Sequence, residues 1–166
     1  DRIFIVGSDI WLFEIKHKFP MERREGLQFG INDGELGMLE MLSKGGIRCL
    51  HTILVKPFWS KNVGSMYLLN NLNMRARAAI IALTLNNESS GQIMGKPSGR
   101  SGAHTSITGS TGLNFKSISA NSFKVLGKLS DPPLDIAARM SAVMSDSDME
   151  SVKDDWLHSL RAENSE

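Results

Sequence analysis

The sequence holds a single cysteine, Cys49, so no intrachain disulfide can form and the fold must rest on its apolar core. That usage fits a reducing compartment. No run approaches the roughly 18 uninterrupted apolar residues of a membrane-crossing helix. The longest apolar stretch, 78–85, is short and is broken by Thr84. The opening Asp1-Arg2-Ile3-Phe4-Ile5-Val6 lacks the basic, apolar and small-residue order of a signal peptide. These absences predict a soluble, cytoplasmic protein, and a start on Asp1 in place of methionine reads as a trimmed product. Internal repeats are absent too, which excludes solenoids and propellers.

Acid is missing from the middle of the chain. Residues 41–130 carry eleven cations, among them Arg75, Arg77, Lys96, Arg100, Lys116, Lys124 and Lys128, against one acid, Glu88, for a net charge of +10. The flanks compensate, with −3 over 1–40 and −6 over 131–166, so the whole chain sums to only +1. A basic block of this kind attracts polyanions, chiefly nucleic-acid phosphates or anionic membrane surfaces. The alternative is that folding interleaves the blocks and the terminal carboxylates quench the central cations.

What is present is ordinary for a globular chain: 166 residues, 41% hydrophobic and 22% charged. We expect one domain, 1–166, of α+β class. Its small antiparallel sheet comprises an N-terminal hairpin and central strands packed with helices. A mobile basic loop over 86–112 and an acidic helical region over 131–166 complete it. In the hairpin, residues 3–6 form the first strand and 10–19 the second, where Trp11, Phe13, Ile15 and Phe19 alternate with Glu14, Lys16 and Lys18. The first set, with His17, reads as the core face and the second as the solvent face. The Glu22-Arg23-Arg24-Glu25 cluster reads as a solvated loop, and Asp33 as the N-cap of a helix that Gly45-Gly46 stops. Residues 47–55 read as a central strand closed by Pro57, and 65–86 as helix. The glycine, serine, threonine and asparagine of 86–112 predict a loop; 113–129 predict a strand pair turning at 119–122. Pro132-Pro133 opens a helix with Ile136, Met140, Val143 and Met144 on one stripe, and Asp146 or Ser147 caps a last one through Leu160.

The motifs that would carry chemistry fall short. Gly91 to Pro97 is one residue too short for a P-loop and has proline where a magnesium-binding hydroxyl belongs. Gly99-Arg100-Ser101-Gly102 is half of a nucleophile elbow with no strand leading in. His17, His51, His104 and His158 lack paired spacing, and Cys49 reads as a buried apolar side chain. The carboxylates Asp146, Asp148, Glu150, Asp154 and Asp155 lack the glycine and closing glutamate of a calcium loop. No cofactor, metal or small-molecule substrate is expected.

Three functional readings remain. The first is a non-enzymatic binding and assembly protein, expected as a homo-oligomer, that meets RNA or DNA through Arg75, Arg77, Lys96, Arg100, Lys116, Lys124 and Lys128. The second is a self-assembling structural protein of the viral-matrix kind on an anionic membrane, inserting through Phe58, Trp59 and Lys61 or through Ile93 and Met94. The third, held in reserve, is a hydrolase using His104 with Ser101, Thr105 or Ser106.

Overall fold

The computed structural model describes residues 2–100 and 112–164, and the chain is α+β. The expected hairpin is present as β1 (Arg2–Val6) and β2 (Asp9–Lys18), paired antiparallel. A second hairpin follows, β3 (Met21–Arg23) and β4 (Gly26–Asn32), then the helix α1 (Asp33–Lys44) and the strand β5 (Ile47–Val55). Two one-turn helices, α2 (Tyr67–Asn70) and α3 (Leu72–Arg75), lead into β6 (Ala79–Leu85). Next come α4 (Asn87–Met94), β7 (Gly99–Arg100), β8 (Asn114–Ser119), a 3-10 turn over Ala120–Ser122 and β9 (Lys124–Lys128). The helices α5 (Pro133–Met144) and α6 (Asp154–Leu160) close the chain.

Five strands make one sheet in the order β1-β2-β5-β6-β9, and four make a second in the order β3-β4-β8-β7. All pairings are antiparallel except β2 with β5, which run parallel because the second hairpin and α1 cross over between them. One apolar cluster is shared by both sheets: Leu12, Ile53 and Ile81 from the first meet Phe29, Ile31 and Ile118 from the second, with Leu36 and Leu39 of α1 and Ile93 of α4. Phe29 and Phe123 meet edge to face at 5.5 Å inside it, a geometry aromatic quadrupoles favour. The opposite face of the five-stranded sheet is covered by α5, whose Val143 and Met144 pack with Trp11, Leu50, Ala82 and Leu126. Strands β2 and β5 are thus covered on both sides.

Several expectations are corrected. On β2 Trp11 and Phe13 pack under α5 as expected, but the face expected in solvent is buried too at Glu14, only 2% exposed, while Ile15 is exposed and His17 bonds Ser65 at the surface. The Glu22–Glu25 cluster is the tip of the second hairpin, whose strand β4 buries Leu27, Phe29 and Ile31 in strict alternation. The helix expected over 65–86 stops at Arg75, and the apolar run after it is β6. Flanked by β5 and β9, that run satisfies its backbone by ladder bonding on both edges. The Gly/Ser-rich stretch begins as α4, because Asn86 and Ser89 cap each other's backbone N–H groups in a capping box. The rest of the expected mobile loop, 101–111 with His104, lies outside the described residues. Strands β8 and β9 form as expected but join different sheets. The last helix starts at Asp154, since residues 150–152 instead line the edge of β9, where Val125 N–H bonds Glu150 O at 3.0 Å and Val152 N–H bonds Phe123 O at 2.9 Å.

A bulge in β9 sets the turn into α5. The register shifts between Ile80 and Ile81, and Gly127 adopts φ +131, a conformation L side chains rarely reach. A methyl group there would also collide with the Asp131 carboxylate, which accepts from the Lys128 N–H at 3.0 Å and from Arg139 at 3.3 Å. Gly127→Ala is expected to destabilise the protein by about 2 kcal/mol. Thermal unfolding followed by circular dichroism should record this as a Tm roughly 4–8 °C lower.

Candidate functional site

Strands β2 and β5 both end at prolines, Pro20 and Pro57, and the Lys56 N–H still bonds Lys18 O at 2.7 Å as they part. The chain after β5 is pinned by the buried Lys56 side chain, which donates to Ser60 O at 3.2 Å and Val63 O at 2.7 Å. The end of α6 is tied to the same segment, Ala162 N–H bonding Pro57 O at 2.9 Å. Between this segment and the outer face of the second sheet lies a cleft of about 520 Å³.

Three rings and four cations line that cleft: Phe19, Trp59 and Phe115 with Arg23, Lys61, Arg100 and Arg161. Among the described residues Glu22 is the sole acid of the lining, and it pairs with Arg161 at 3.0 Å. Arg23, Lys61 and Arg100 have no carboxylate partner among the described residues. The Arg161 guanidinium sits 4.7 Å from the Trp59 ring centre, and the His158 ring is 5.3 Å from it. Phe115 lies across two glycines of its neighbouring strands. A Cβ on Gly99 would come within 2.7 Å of the ring and one on Gly30 within 3.1 Å. Only glycine on both sides lets this ring lie across the sheet beside the cations.

Of the residues singled out from sequence, Trp59, Lys61 and Arg100 come together here. Phe58 lines the adjoining hollow with His158 and Ala162. The remaining cations do not gather. Lys116 is buried and donates to Lys96 O, and Lys96 reaches only Ser117 O, at 3.5 Å. Lys124 donates to Met149 O at 2.9 Å and Ser151 Oγ at 3.1 Å. Arg77 donates to Arg161 O at 2.9 Å, Arg75 lies in a groove beside Leu72, and Lys128 is half-buried on β9. Of the membrane candidates, Phe58 and Trp59 are half-buried, Trp59 packing against the core, Lys61 is exposed, Ile93 is buried and Met94 half-buried. Sequence reasoning missed Arg23, Arg161 and Phe115 as cleft residues. The first two sit in acidic flanks, and only the glycines on either side of Phe115 in space mark the third.

A second polar cluster is interior. Glu14 on β2 and His51 on β5 stand opposite each other, His51 Nδ1 lying 2.6 Å from Glu14 Oε2. Lys16 Nζ is 2.9 Å from Glu14 and 3.5 Å from Glu35 in the first turn of α1, while Lys18 donates to Gly30 O on β4. Burial by itself would raise Glu14, but its hydrogen bonds with His51, Glu35 and Lys16 outweigh this and hold it well below the usual carboxylate range. Burial, with the hydrogen bond and charge of Glu14, pushes Glu35 up to about 7 against the pull of Lys18 and Lys16. Burial lowers His51 despite Glu14. Glu14, held as a carboxylate, is the acceptor at the centre of the cluster. Glu14, Glu35 and His51 bring one ligand atom each within 4.8 Å of one another, a spacing open to a metal ion. The Lys16 ammonium already provides the positive charge between the two carboxylates, so the cluster reads as an internal ionic lock.

No family model matches the chain, no curated protein matches it, and no solved structure matches its fold.

The lock has a pH signature. Unfolded, Glu35 ionises near its ordinary 4.5; folded, it holds its proton to about 7. As pH rises through that window the unfolded chain sheds a proton the native state keeps. Glu35 therefore costs stability increasingly up to about 7 and fully above it. Glu35→Gln removes that dependence. The stability difference, variant minus wild type, should become more positive from pH 5 to pH 8 by up to about 3 kcal/mol. Urea unfolding at the two pH values checks it, and a difference independent of pH would contradict the retained proton.

Proposed function

We propose that this chain is a non-enzymatic binding protein whose cleft takes a single-stranded nucleic acid, RNA or DNA. The observation that carries the reading is the interleaving of aromatic rings with cations in one cleft, of which Arg23, Lys61 and Arg100 have no carboxylate partner among the described residues. Such a surface suits a flexible polyanion. Guanidinium and ammonium groups take successive phosphates and release their counterions, while a ring provides a platform on which any base stacks. Phe115 is that platform, held across the sheet by its flanking glycines. Trp59 is already engaged by Arg161 and His158 and serves to position Arg161. Among the described residues Asn32 is the one neutral amide of the lining, so they offer little base-specific hydrogen bonding.

Binding of a fluorescently labelled poly(U) or poly(dT) strand across a salt series tests this. Three unpaired cations on a single strand correspond to a slope near −2, hence about a fifteenfold loss of affinity between 50 and 200 mM salt. Arg100→Ala should weaken binding and flatten that slope, and Phe115→Ala should cost about 1–3 kcal/mol with the slope unchanged. An affinity indifferent to salt, or to both substitutions, would sink the reading.

A further inference from the structure

The two one-turn helices α2 and α3 divide their apolar residues between opposite sides. Leu68 and Met74 are buried with Ala78 and Ala162, while Met66, Leu69 and Leu72 stand in solvent at 72, 66 and 72% exposure. Beside them lies a groove of about 420 Å³ lined by Leu72, Arg75, Leu129, Pro132 and Pro133. Leu134, the next residue, is 83% exposed. Large aliphatic side chains gathered in this way on a surface mark an interaction site. The charges around them indicate its occupant. Arg75 lines the groove and Arg77 follows it, exposed, with one guanidinium nitrogen donating to Arg161 O at 2.9 Å. The groove's own acid, Asp131, is engaged by Arg139 and the Lys128 N–H, and the first turn of α5 carries a further acid, Asp135.

We infer that this corner, Met66, Leu69, Leu72 and Leu134 with Arg75 and Arg77, docks on an anionic lipid surface. The aliphatic tips enter the boundary between headgroups and acyl chains, and the guanidinium groups stay at the level of the phosphates. A second copy of the chain is the poorer occupant, because self-docking about a two-fold axis would press one arginine rim against another. The surface is separate from the nucleic-acid cleft, and the inference does not rest on that reading.

Co-sedimentation with phosphatidylcholine vesicles, with or without about one-third phosphatidylserine, tests it. The wild type should bind the acidic vesicles about tenfold or more tightly than the neutral ones. The double variant Leu69→Glu, Leu72→Glu, which alters only exposed side chains, should lose about tenfold or more on acidic vesicles with its Tm unchanged. Arg75→Ala should lose severalfold, and Arg100→Ala in the cleft should bind vesicles as the wild type does. Equal binding to both vesicle types, or a double variant that binds acidic vesicles normally, overturns the inference. So does light scattering that shows the wild type as a dimer which the double variant dissociates, the result expected of a second copy.

Discussion

Strands β2 and β5 lie side by side, and where Glu14 and His51 stand the sheet is covered, so a polar group there has no water to turn to. Glu14 and His51 meet this constraint by facing each other across the parallel pair. Removing one partner of such a buried pair leaves an uncompensated group, typically at a cost of about 3–5 kcal/mol. The pair also recruits its surroundings. Glu35 ties the start of α1 to β2 through Lys16, and Lys18 ties β2 to Gly30 of β4. Through those bonds the lock holds the second sheet against the first. The outer face of that second sheet is one wall of the cleft, so a group buried in the interior sets the position of a surface that meets solvent.

The basic block of the sequence does not become a basic face. Its cations are spent in different ways. Lys44 and Arg48 pair with carboxylates, while Lys56, Lys116 and Lys124 donate to backbone carbonyls. Lys61 and Arg100 reach the cleft, and Arg75 and Arg77 lie at the α2–α3 corner. The cleft takes its other two cations from the acidic flanks, Arg23 from the second hairpin and Arg161 from the end of α6. Charge counted along a chain and charge gathered at a surface are different quantities, because folding joins residues more than a hundred positions apart. The Arg161–Glu22 bond is one such contact.

Local signals were legible wherever one physical rule acted without competition. The β1–β2 hairpin, the apolar β5 between Gly46 and Pro57, the stop of α1 at Gly45 and the proline start of α5 all follow from propensity and turn chemistry. The alternation of Leu27, Phe29 and Ile31 was equally available as a strand signal, masked by the charged turn before it and the glycines within it. The capping box at Asn86 was readable as well, but Gly/Ser composition over the following residues outweighed it. β6 was not decidable from its own residues. An apolar run of that length suits a helix or a central strand, and only the open edges of β5 and β9 chose between them.

By itself the sequence determined the α+β class, the covalent independence from disulfides and the presence of aromatic residues beside cations at 58–61. It also determined the starts of α1, β5 and α5, because caps, prolines and glycines act over a few residues. Tertiary structure decided which face of β2 turns inward, that Glu14 and Lys18 are interior, and that Phe115 meets Trp59, Lys61 and Arg100 in one cleft. The reason is that burial depends on what covers a strand. Period-two alternation announces two faces without saying which will be covered, and on β2 the answer came from α1, β4 and α5, each distant in the chain or on the far side of the sheet.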